Sequence, residues 1–273
     1  MCPRNVRGPH GRGVFRAHCL LAALALVAGC GPSPAPGQVT TLTVYGAASL
    51  GPALESIKSA YLARSGVDLL LSTGSSATLR TQIEQGAPAD VFLSADLQSP
   101  TALVAGGLVD GQVVVFAGNR LAVIVPSDNP GNLSSPLDLG RPGVRVVAAA
   151  DRVPITTYAT SLLERLAAIP GAPPDFAVRY AANMVSREPD VAAVMARIEL
   201  GEGDVAIVYA SDVARATNVR VLSLPEGRNV SVAYGGVVIA APGHVAAGHA
   251  LLDWLAGTEG QAILARFGFS TVP

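Results

Sequence analysis

The sequence has 273 residues, of which half are apolar and 14% are charged, with a formal net charge of −1. This length and apolar content provide a core for one large domain or two small ones. The weak net charge disfavours a nucleic-acid-binding protein, which needs a basic surface. All three cysteines lie within the first 30 residues, so the rest of the chain offers no disulfide and no cysteine metal ligand.

Residues 1–29 are predicted to be an export signal. Four arginines and no acidic residue precede an apolar run from Cys19 to Ala28, which is too short to span a membrane as a permanent helix. The run ends in the letters VAGC, and small residues directly before Cys30 resemble the lipobox of bacterial lipoproteins. We therefore expect lipidation of Cys30 and anchoring outside the cytoplasm. An ordinary secretory signal or a short uncleaved anchor would place the domain on the same side of the membrane.

Residues 30–39 are predicted to be a flexible tether, because the stretch GPSPAPGQ at 31–38 has little apolar surface to bury. Without residues 1–29 the chain keeps 15 basic residues against 20 acidic ones, a net charge of −5. If this protein binds an anion, local dipoles must therefore supply the attraction.

The first part of the predicted fold alternates strands and helices. Apolar and β-branched runs predict strands, and apolar residues at helical spacing predict helices. Val67–Leu71 is interpreted as a buried strand. The predicted elements are strand Thr41–Tyr45, helix Leu50–Arg64, strand Val67–Leu71, helix Thr78–Gln85 and strand Val91–Leu93. This order indicates a parallel sheet with helices on both faces.

The second part repeats this alternation and predicts a second lobe. Its predicted elements are strands Leu121–Val125, Val144–Ala148, Val205–Val208 and Val230–Ile239, with helices Thr156–Ala168, Pro189–Leu200, Ala246–Ala256 and Gly260–Phe267. Crossovers near Gly118 and near Ser223–Pro225 would return the chain to the first lobe. We therefore predict one lobe of residues 40–118 and 224–273, a second lobe of residues 119–223, and a ligand cleft between them.

Catalytic motifs are weak in this sequence. His244 and His249 do not have the spacing of a helical metal pair, and no phosphate-binding or dinucleotide-binding glycine motif follows a strand. Asp90 and Asp96 could serve acid–base chemistry in an α/β enzyme. The alternative, that these carboxylates cap turns and helices at strand ends, is favoured.

Two strand-to-helix turns are more informative. The turns YGAASL, which contains Ser49, and STGSS, which ends at Ser76, each follow a predicted strand and open a predicted helix. A helix N-terminus offers unpaired N–H groups and a partial positive charge, so a nearby hydroxyl completes an anion site without Lys or Arg. Each serine alone is more simply an N-cap. Two such turns after consecutive parallel strands favour a shared anion site, because these strand ends face one crevice.

Three segments resemble the periplasmic molybdate-binding proteins of ABC importers. They read GAASL, SSATLRTQIEQGAPADVFLSAD and EPDVAAVMARIELGEGDVAIVYASD, and the similarity extends from about Thr41 to the final RFGFS. The resemblance implies a type II periplasmic binding protein, an α/β fold of two lobes. Each lobe would hold a mostly parallel sheet flanked by helices, with the ligand in the interlobe cleft.

The resemblance also implies five oxyanion-binding residues. Ser49 and Ser76 would donate hydroxyl and backbone groups, and Tyr209 its phenol O–H. Val191 and Ile155 would each donate a backbone N–H. The turn VPITTY departs from the family pattern, since Ile155 replaces a small residue and Thr156 replaces a glycine.

A receptor of this kind implies no enzymatic activity and no cofactor. The molybdenum would arrive as an oxyanion, molybdate, or as tungstate in its place, held by hydrogen bonds and not by direct metal–ligand bonds. The implied partner is the permease of an ABC importer, and the implied state is a monomer. A receptor for sulfate or another oxyanion is the alternative within the class, and a lipid-tethered enzyme using Asp90 or Asp96 is the alternative outside it.

Overall fold

The computed structural model describes residues 40–214, 216–240 and 243–271. The predicted export signal, the tether and Cys30 lie outside these residues. Within the described part of the chain, no helix combines the length and hydropathy needed to cross a membrane.

The described chain alternates strands and helices as the sequence predicts. The strands are β1 (Thr41–Ala47), β2 (Asp68–Gly74), β3 (Val91–Ser94), β4 (Val109–Pro126), β5 (Val146–Ala149), β6 (Met184–Glu188), β7 (Val205–Tyr209), β8 (Val219–Leu222) and β9 (Ser231–Ile239). The helices are α1 (Gly51–Ser65), α2 (Ser76–Glu84), α3 (Gln98–Ala105), α4 (Pro154–Ala167), α5 (Phe176–Ala182), α6 (Val191–Glu199), α7 (Ala210–Val213), α8 (Val245–Ala256) and α9 (Thr258–Arg266). Short 3₁₀ helices span Ala48–Leu50 and Pro136–Gly140.

The strands form a sheet in the order β2-β1-β3-β9-β4-β7-β5-β6, with β8 also paired to β4. Strands β1, β2 and β3 pair in parallel, and so do β5, β6 and β7. The antiparallel strands β9 and β4 join these two parallel groups. The predicted α/β fold is therefore confirmed, with antiparallel strands at the centre.

Strand β4 connects the two halves of the sheet. Its residues up to Arg120 pair with β9, and from Leu121 onward it pairs with β7 and β8. The sequence predicts only the second half, Leu121–Val125, because the first half contains Asp110, Gly111 and Gln112. The predicted limits of the two lobes near this change of partner stay a prediction.

A strand is present at the predicted Val67–Leu71, but the prediction that this strand is buried is wrong. Strand β2 lies at the edge of the sheet, and the Leu70 side chain is 58% exposed while Leu69 is buried. Successive side chains of a strand point to opposite faces, so Leu69 faces the core while Leu70 lies on the less covered face of this edge strand.

Helix ends follow the local sequence. Helix α1 carries a proline in its first turn and ends at Gly66, which adopts a left-handed φ of 74° and donates its N–H to the Leu62 carbonyl. Pro154 opens α4 in the same way. Helices α3 and α5 are absent from the predictions, because their short segments carry weak apolar periodicity.

Candidate functional site

The two serine turns lie side by side at the ends of β1 and β2. These strands pair in parallel, and Ala47 at the end of β1 is the register partner of Gly74 at the end of β2. Ser49 follows within the 3₁₀ helix, and Ser76 is the first residue of α2. The predicted meeting of the two turns is therefore confirmed.

Neither serine caps its helix through its side chain. No side-chain cap hydrogen bond occurs at the start of the 3₁₀ helix, α1 or α2 in the described chain. Ser49 Oγ lies 2.9 Å from the Tyr234 hydroxyl, and Ser76 Oγ accepts a hydrogen bond from the Ala95 N–H at 3.0 Å. Both side chains are buried. The simple N-cap interpretation is therefore wrong for these two residues.

The opposite half of the sheet contributes the start of α6. Val191 is its first residue, and the N-cap Asp190 accepts a hydrogen bond from the Ala193 N–H at 2.9 Å through its carboxylate. The first N–H groups of a helix have no intrahelical partner, so the N–H of Val191 remains a free donor of this helix.

Tyr209 ends β7 with an unpaired phenol. The residue is 1% exposed, and its hydroxyl has no hydrogen-bond partner among the described residues. Burial raises the pKa of Tyr209 well above its ordinary value of 10, and the neighbouring Tyr234 and Tyr158 add to the rise. The phenol therefore stays protonated, and a buried donor of this kind costs free energy until it finds an acceptor.

Ser49, Ser76, Val191 and Tyr209 line one small cavity. Its other lining residues are Ala47, Ala48, Gly74, Ser75, Ala95, Val153, Pro154 and Asp190. The structure thus brings together four of the five residues implied by the resemblance. These lining residues include hydroxyls and helix N-termini but no Lys or Arg.

Ile155 is placed differently from the other four. Its side chain is buried and lines a separate cavity beside Tyr180 and Ile207, while its neighbours Val153 and Pro154 line the cavity with the serines. Since Pro154 has no N–H, the N–H of Ile155 is the first that α4 offers. Only a backbone contribution from Ile155 is compatible with this arrangement.

The hydroxyl of Thr156 is already engaged in this turn. Its Oγ1 donates toward the carbonyls of Ala149 and Ala150, at 3.2 and 3.0 Å. These contacts hold the start of α4 against the end of β5, so the threonine stabilises the turn and does not supply a donor to the cavity.

Two carboxylates lie near the cavity. Asp190 lines it, and Asp212 on α7 accepts a hydrogen bond from the Tyr209 N–H at 3.1 Å. Burial raises the pKa of Asp212 to about 7, and the charge of Asp190 contributes to the rise, while the bond from Tyr209 opposes it.

Asp90 and Asp96 lie outside the cavity and make structural contacts. Asp90 accepts hydrogen bonds from the Thr43 N–H at 2.7 Å and pairs with His244 Nδ1 at 2.9 Å. Asp96 accepts from the Ser99 N–H at 2.8 Å at the start of α3. The contact of Asp96 is the helix cap that the sequence favours, whereas Asp90 instead links β1 to the residue before α8.

Four polar residues around this cavity are not predicted from the sequence. Asp190 lines it, and Asn119, Ser211 and Tyr234 form hydrogen bonds behind Ser49. Their only sequence signal is the presence of polar side chains within or beside strongly apolar strands. No group of three or more His, Cys, Asp or Glu side chains in the described chain could hold a metal ion.

Residues 42–270 match the family model of the bacterial extracellular solute-binding proteins. The chain belongs to this family, and this class accounts for a cavity between two sheet halves that is lined by strand ends and helix N-termini.

Named relatives make the similarity more specific. The molybdate-binding protein ModA of Mycobacterium tuberculosis is 31% identical over 92% of this chain and 96% of that protein. The protein of the same name from Escherichia coli is 33% identical over 84% of this chain and 88% of that protein. The predicted resemblance is therefore confirmed.

A solved structure supports the fold in the same way. The substrate-binding domain of a putative molybdenum ABC transporter from Clostridium difficile superposes with a TM-score of 0.64 at 28% identity. The match covers 86% of this chain and all of that domain. The fold is thus that of the two-lobed periplasmic binding proteins.

Proposed function

We propose that this protein is an extracytoplasmic receptor that binds molybdate or tungstate and delivers it to an ABC importer, without enzymatic activity. The observation that carries the proposal is the buried phenol of Tyr209, which lines a cavity with the hydroxyls of Ser49 and Ser76 and has no hydrogen-bond partner among the described residues. An oxyanion supplies the acceptors that these donors lack. The similarity to molybdate-binding proteins over nearly the whole chain supports the same ligand.

Dipoles provide the attraction in this site. The starts of α2, α4 and α6 each bring a helix N-terminus to the cavity, and each terminus carries about half a positive charge. Each hydrogen bond to a charged acceptor contributes about 1.5–3 kcal/mol. We propose five donors, namely Ser49, Ser76, Tyr209 and the backbone N–H groups of Ile155 and Val191. Together they are sufficient for tight binding after the costs of association.

Sulfate is the strongest alternative ligand. It shares the charge and tetrahedral shape of molybdate but has shorter bonds, so the cavity must separate the two anions by size. Ile155 replaces a smaller residue of the family pattern, and its side chain points into a different cavity. The Ile155 side chain therefore does not fill the space beside the serines.

The ligand is proposed to lie between two lobes, residues 40–118 with 224–273 and residues 119–223. The donors come from both sides of the point where β4 changes partners, so one anion would hold both lobes together. Small-angle scattering with and without molybdate tests this. The radius of gyration should fall on binding, and an unchanged radius despite confirmed binding would contradict the hinge.

Anchoring by a lipid on Cys30 and a monomeric state belong to the same proposal. One acyl chain anchors a protein weakly, so two or three chains are expected on this cysteine. Intact-mass analysis of the membrane fraction tests the modification, and light scattering of the domain tests the monomer. A mature N-terminus at another residue, without lipid, would contradict the anchor.

Thermal unfolding with a panel of oxyanions tests the function. A receptor gains stability as RT ln(1 + [L]/Kd), so molybdate and tungstate should raise the Tm more than sulfate, phosphate or nitrate at equal concentration. Ser49→Ala should reduce this gain, whereas Ser59→Ala, an exposed serine on α1, serves as the matched control. Equal Tm values with every anion would refute the receptor.

A further inference from the structure

A buried chain of hydrogen bonds lies behind Ser49. The Asn119 amide Nδ2 donates to Ser211 Oγ at 2.8 Å and to the Tyr234 hydroxyl at 3.3 Å, and this hydroxyl lies 2.9 Å from Ser49 Oγ. All four residues are buried, and only Ser49 lines the small cavity with Tyr209. These hydrogen bonds thus link Asn119, which lies on β4 next to the point where β4 changes its pairing strand, to the Ser49 hydroxyl of the candidate site.

The amide of Asn119 determines which group donates in each of these hydrogen bonds. Its Oδ1 accepts a hydrogen bond from the Arg120 N–H at 2.9 Å, so the NH₂ group is the end that faces the two hydroxyls. An amide NH₂ donates and cannot accept. The Tyr234 oxygen therefore accepts from Asn119. Among its described partners, only Ser49 Oγ remains to receive the phenol hydrogen of Tyr234.

The hydrogen of the Ser49 hydroxyl is then free to point into the cavity, since the Ser49 oxygen is occupied by Tyr234. The same logic applies to Ser76, whose oxygen accepts from the Ala95 N–H at 3.0 Å. With the phenol of Tyr209, which is unpaired among the described residues, three side-chain hydroxyls can present hydrogens to one cavity. A fully ionised oxyanion accepts from all three, whereas a protonated one brings an O–H that needs an acceptor.

We propose that Asn119 and Tyr234 are positioning residues that hold Ser49 as a donor and thereby select oxyanions that carry no proton. The inference rests on the proposed function and names the residues behind its ligand selectivity. Molybdate, tungstate and sulfate meet this condition at neutral pH, and hydrogen phosphate does not. Asp190 also lines the cavity, and its Oδ1 accepts the Ala193 N–H at 2.9 Å; it is kept unchanged in every variant, so that a change in the Kd ratio reports the Ser49 hydroxyl.

The test compares molybdate and phosphate binding by calorimetry in four proteins: the unaltered chain, Tyr234→Phe, Ser49→Ala and the double variant. Without Tyr234 to occupy its oxygen, Ser49 can turn and accept. Tyr234→Phe should therefore weaken molybdate binding about tenfold, as expected for one hydrogen bond to a charged group. The ratio of the phosphate Kd to the molybdate Kd should fall at the same time. Tyr61→Phe is the matched control, because Tyr61 is buried against Trp254 and away from the cavity.

A double-mutant cycle separates positioning from general damage. If Tyr234 acts through Ser49, Tyr234→Phe costs no further affinity in the Ser49→Ala background. An equal loss in both backgrounds, or an equal loss for molybdate and phosphate, would overturn the inference while leaving the receptor function intact. Absence of any oxyanion binding by the unaltered chain would overturn the function and the inference together.

Asn119→Asp provides a second variant of nearly the same shape. A carboxylate only accepts, so the Tyr234 hydroxyl would donate to it and Ser49 would donate to Tyr234. The Ser49 oxygen would then face the cavity. The Kd ratio should fall as in Tyr234→Phe, and a correctly folded variant with an unchanged ratio would overturn the inference.

Discussion

Replacement of Tyr209 by phenylalanine should have opposite effects on stability and on binding. The phenol is buried and unpaired among the described residues, and an unsatisfied buried polar group costs about 1–3 kcal/mol. Tyr209→Phe keeps the ring contacts with Tyr158 and Tyr234, at 6.5 and 5.8 Å between centroids, and removes only the hydroxyl. The ligand-free variant should therefore be more stable than the unaltered protein by about 1–3 kcal/mol.

The same change should weaken oxyanion binding. One hydrogen bond to a charged acceptor contributes about 1.5–3 kcal/mol, so the molybdate Kd should rise roughly 10- to 150-fold. Denaturant unfolding without ligand measures the first effect, and calorimetric titration measures the second. Tyr158→Phe is the control, because Tyr158 contacts the Tyr209 ring but does not line the cavity. A less stable ligand-free variant with unchanged affinity would refute the assignment of Tyr209 as an unsatisfied donor.

Three further predictions concern other residues of the site. Ile155→Ala should change the molybdate Kd by less than about tenfold, whereas Ile155→Pro removes the N–H and should raise it by at least that factor, provided that circular dichroism shows an intact fold. Asp190→Asn keeps an N-cap and removes a negative charge from the cavity wall, so calorimetry should find tighter molybdate binding; weaker binding would contradict this. The pKa of Asp212 is raised to about 7 from an ordinary 3.8, so this carboxyl binds its proton more tightly in the folded state. Its contribution to stability is complete below the ordinary value and is lost as pH rises through about 7. In Asp212→Asn the free energy of unfolding should not show this decrease with rising pH. Parallel pH profiles of the free energy of unfolding for the variant and the unaltered protein would refute the assignment.

Much of the fold follows from the sequence because its apolar periodicity is strong. Helix α6 and strand β7 are predicted to within two residues, since Val194 and Ile198 mark a helical stripe and the letters VAIVY mark a buried strand. The apolar pattern of a strand does not show whether the strand lies at the centre or at the edge of the sheet. The leucines of β2 resemble a buried strand, yet only Leu69 faces the core, and Leu70 on the opposite face of this edge strand is exposed.

The candidate site is predictable only in part. The turns around Ser49 and Ser76 are recognisable because a hydroxyl follows a strand end and opens a helix, a local pattern. Asn119 and Tyr234 are separated by more than a hundred residues and meet only after β4 and β9 have paired. No local pattern reports such a contact. The side-chain direction of Ile155 likewise depends on how α4 packs against β5 and β7.

The pairing of β9 has a consequence for how this protein folds. Strand β9 lies between β3 and β4, so that Val91 pairs with Val238 and Gly118 with Ala233. The centre of the sheet therefore cannot form until nearly the whole chain is present. Contacts between residues so distant in sequence slow folding, because the long segment between them must be closed into a loop before the strands gain their hydrogen bonds. A chain truncated before β9 should stay unfolded, and the intact chain should form the centre of its sheet only after nearly all of its residues are available.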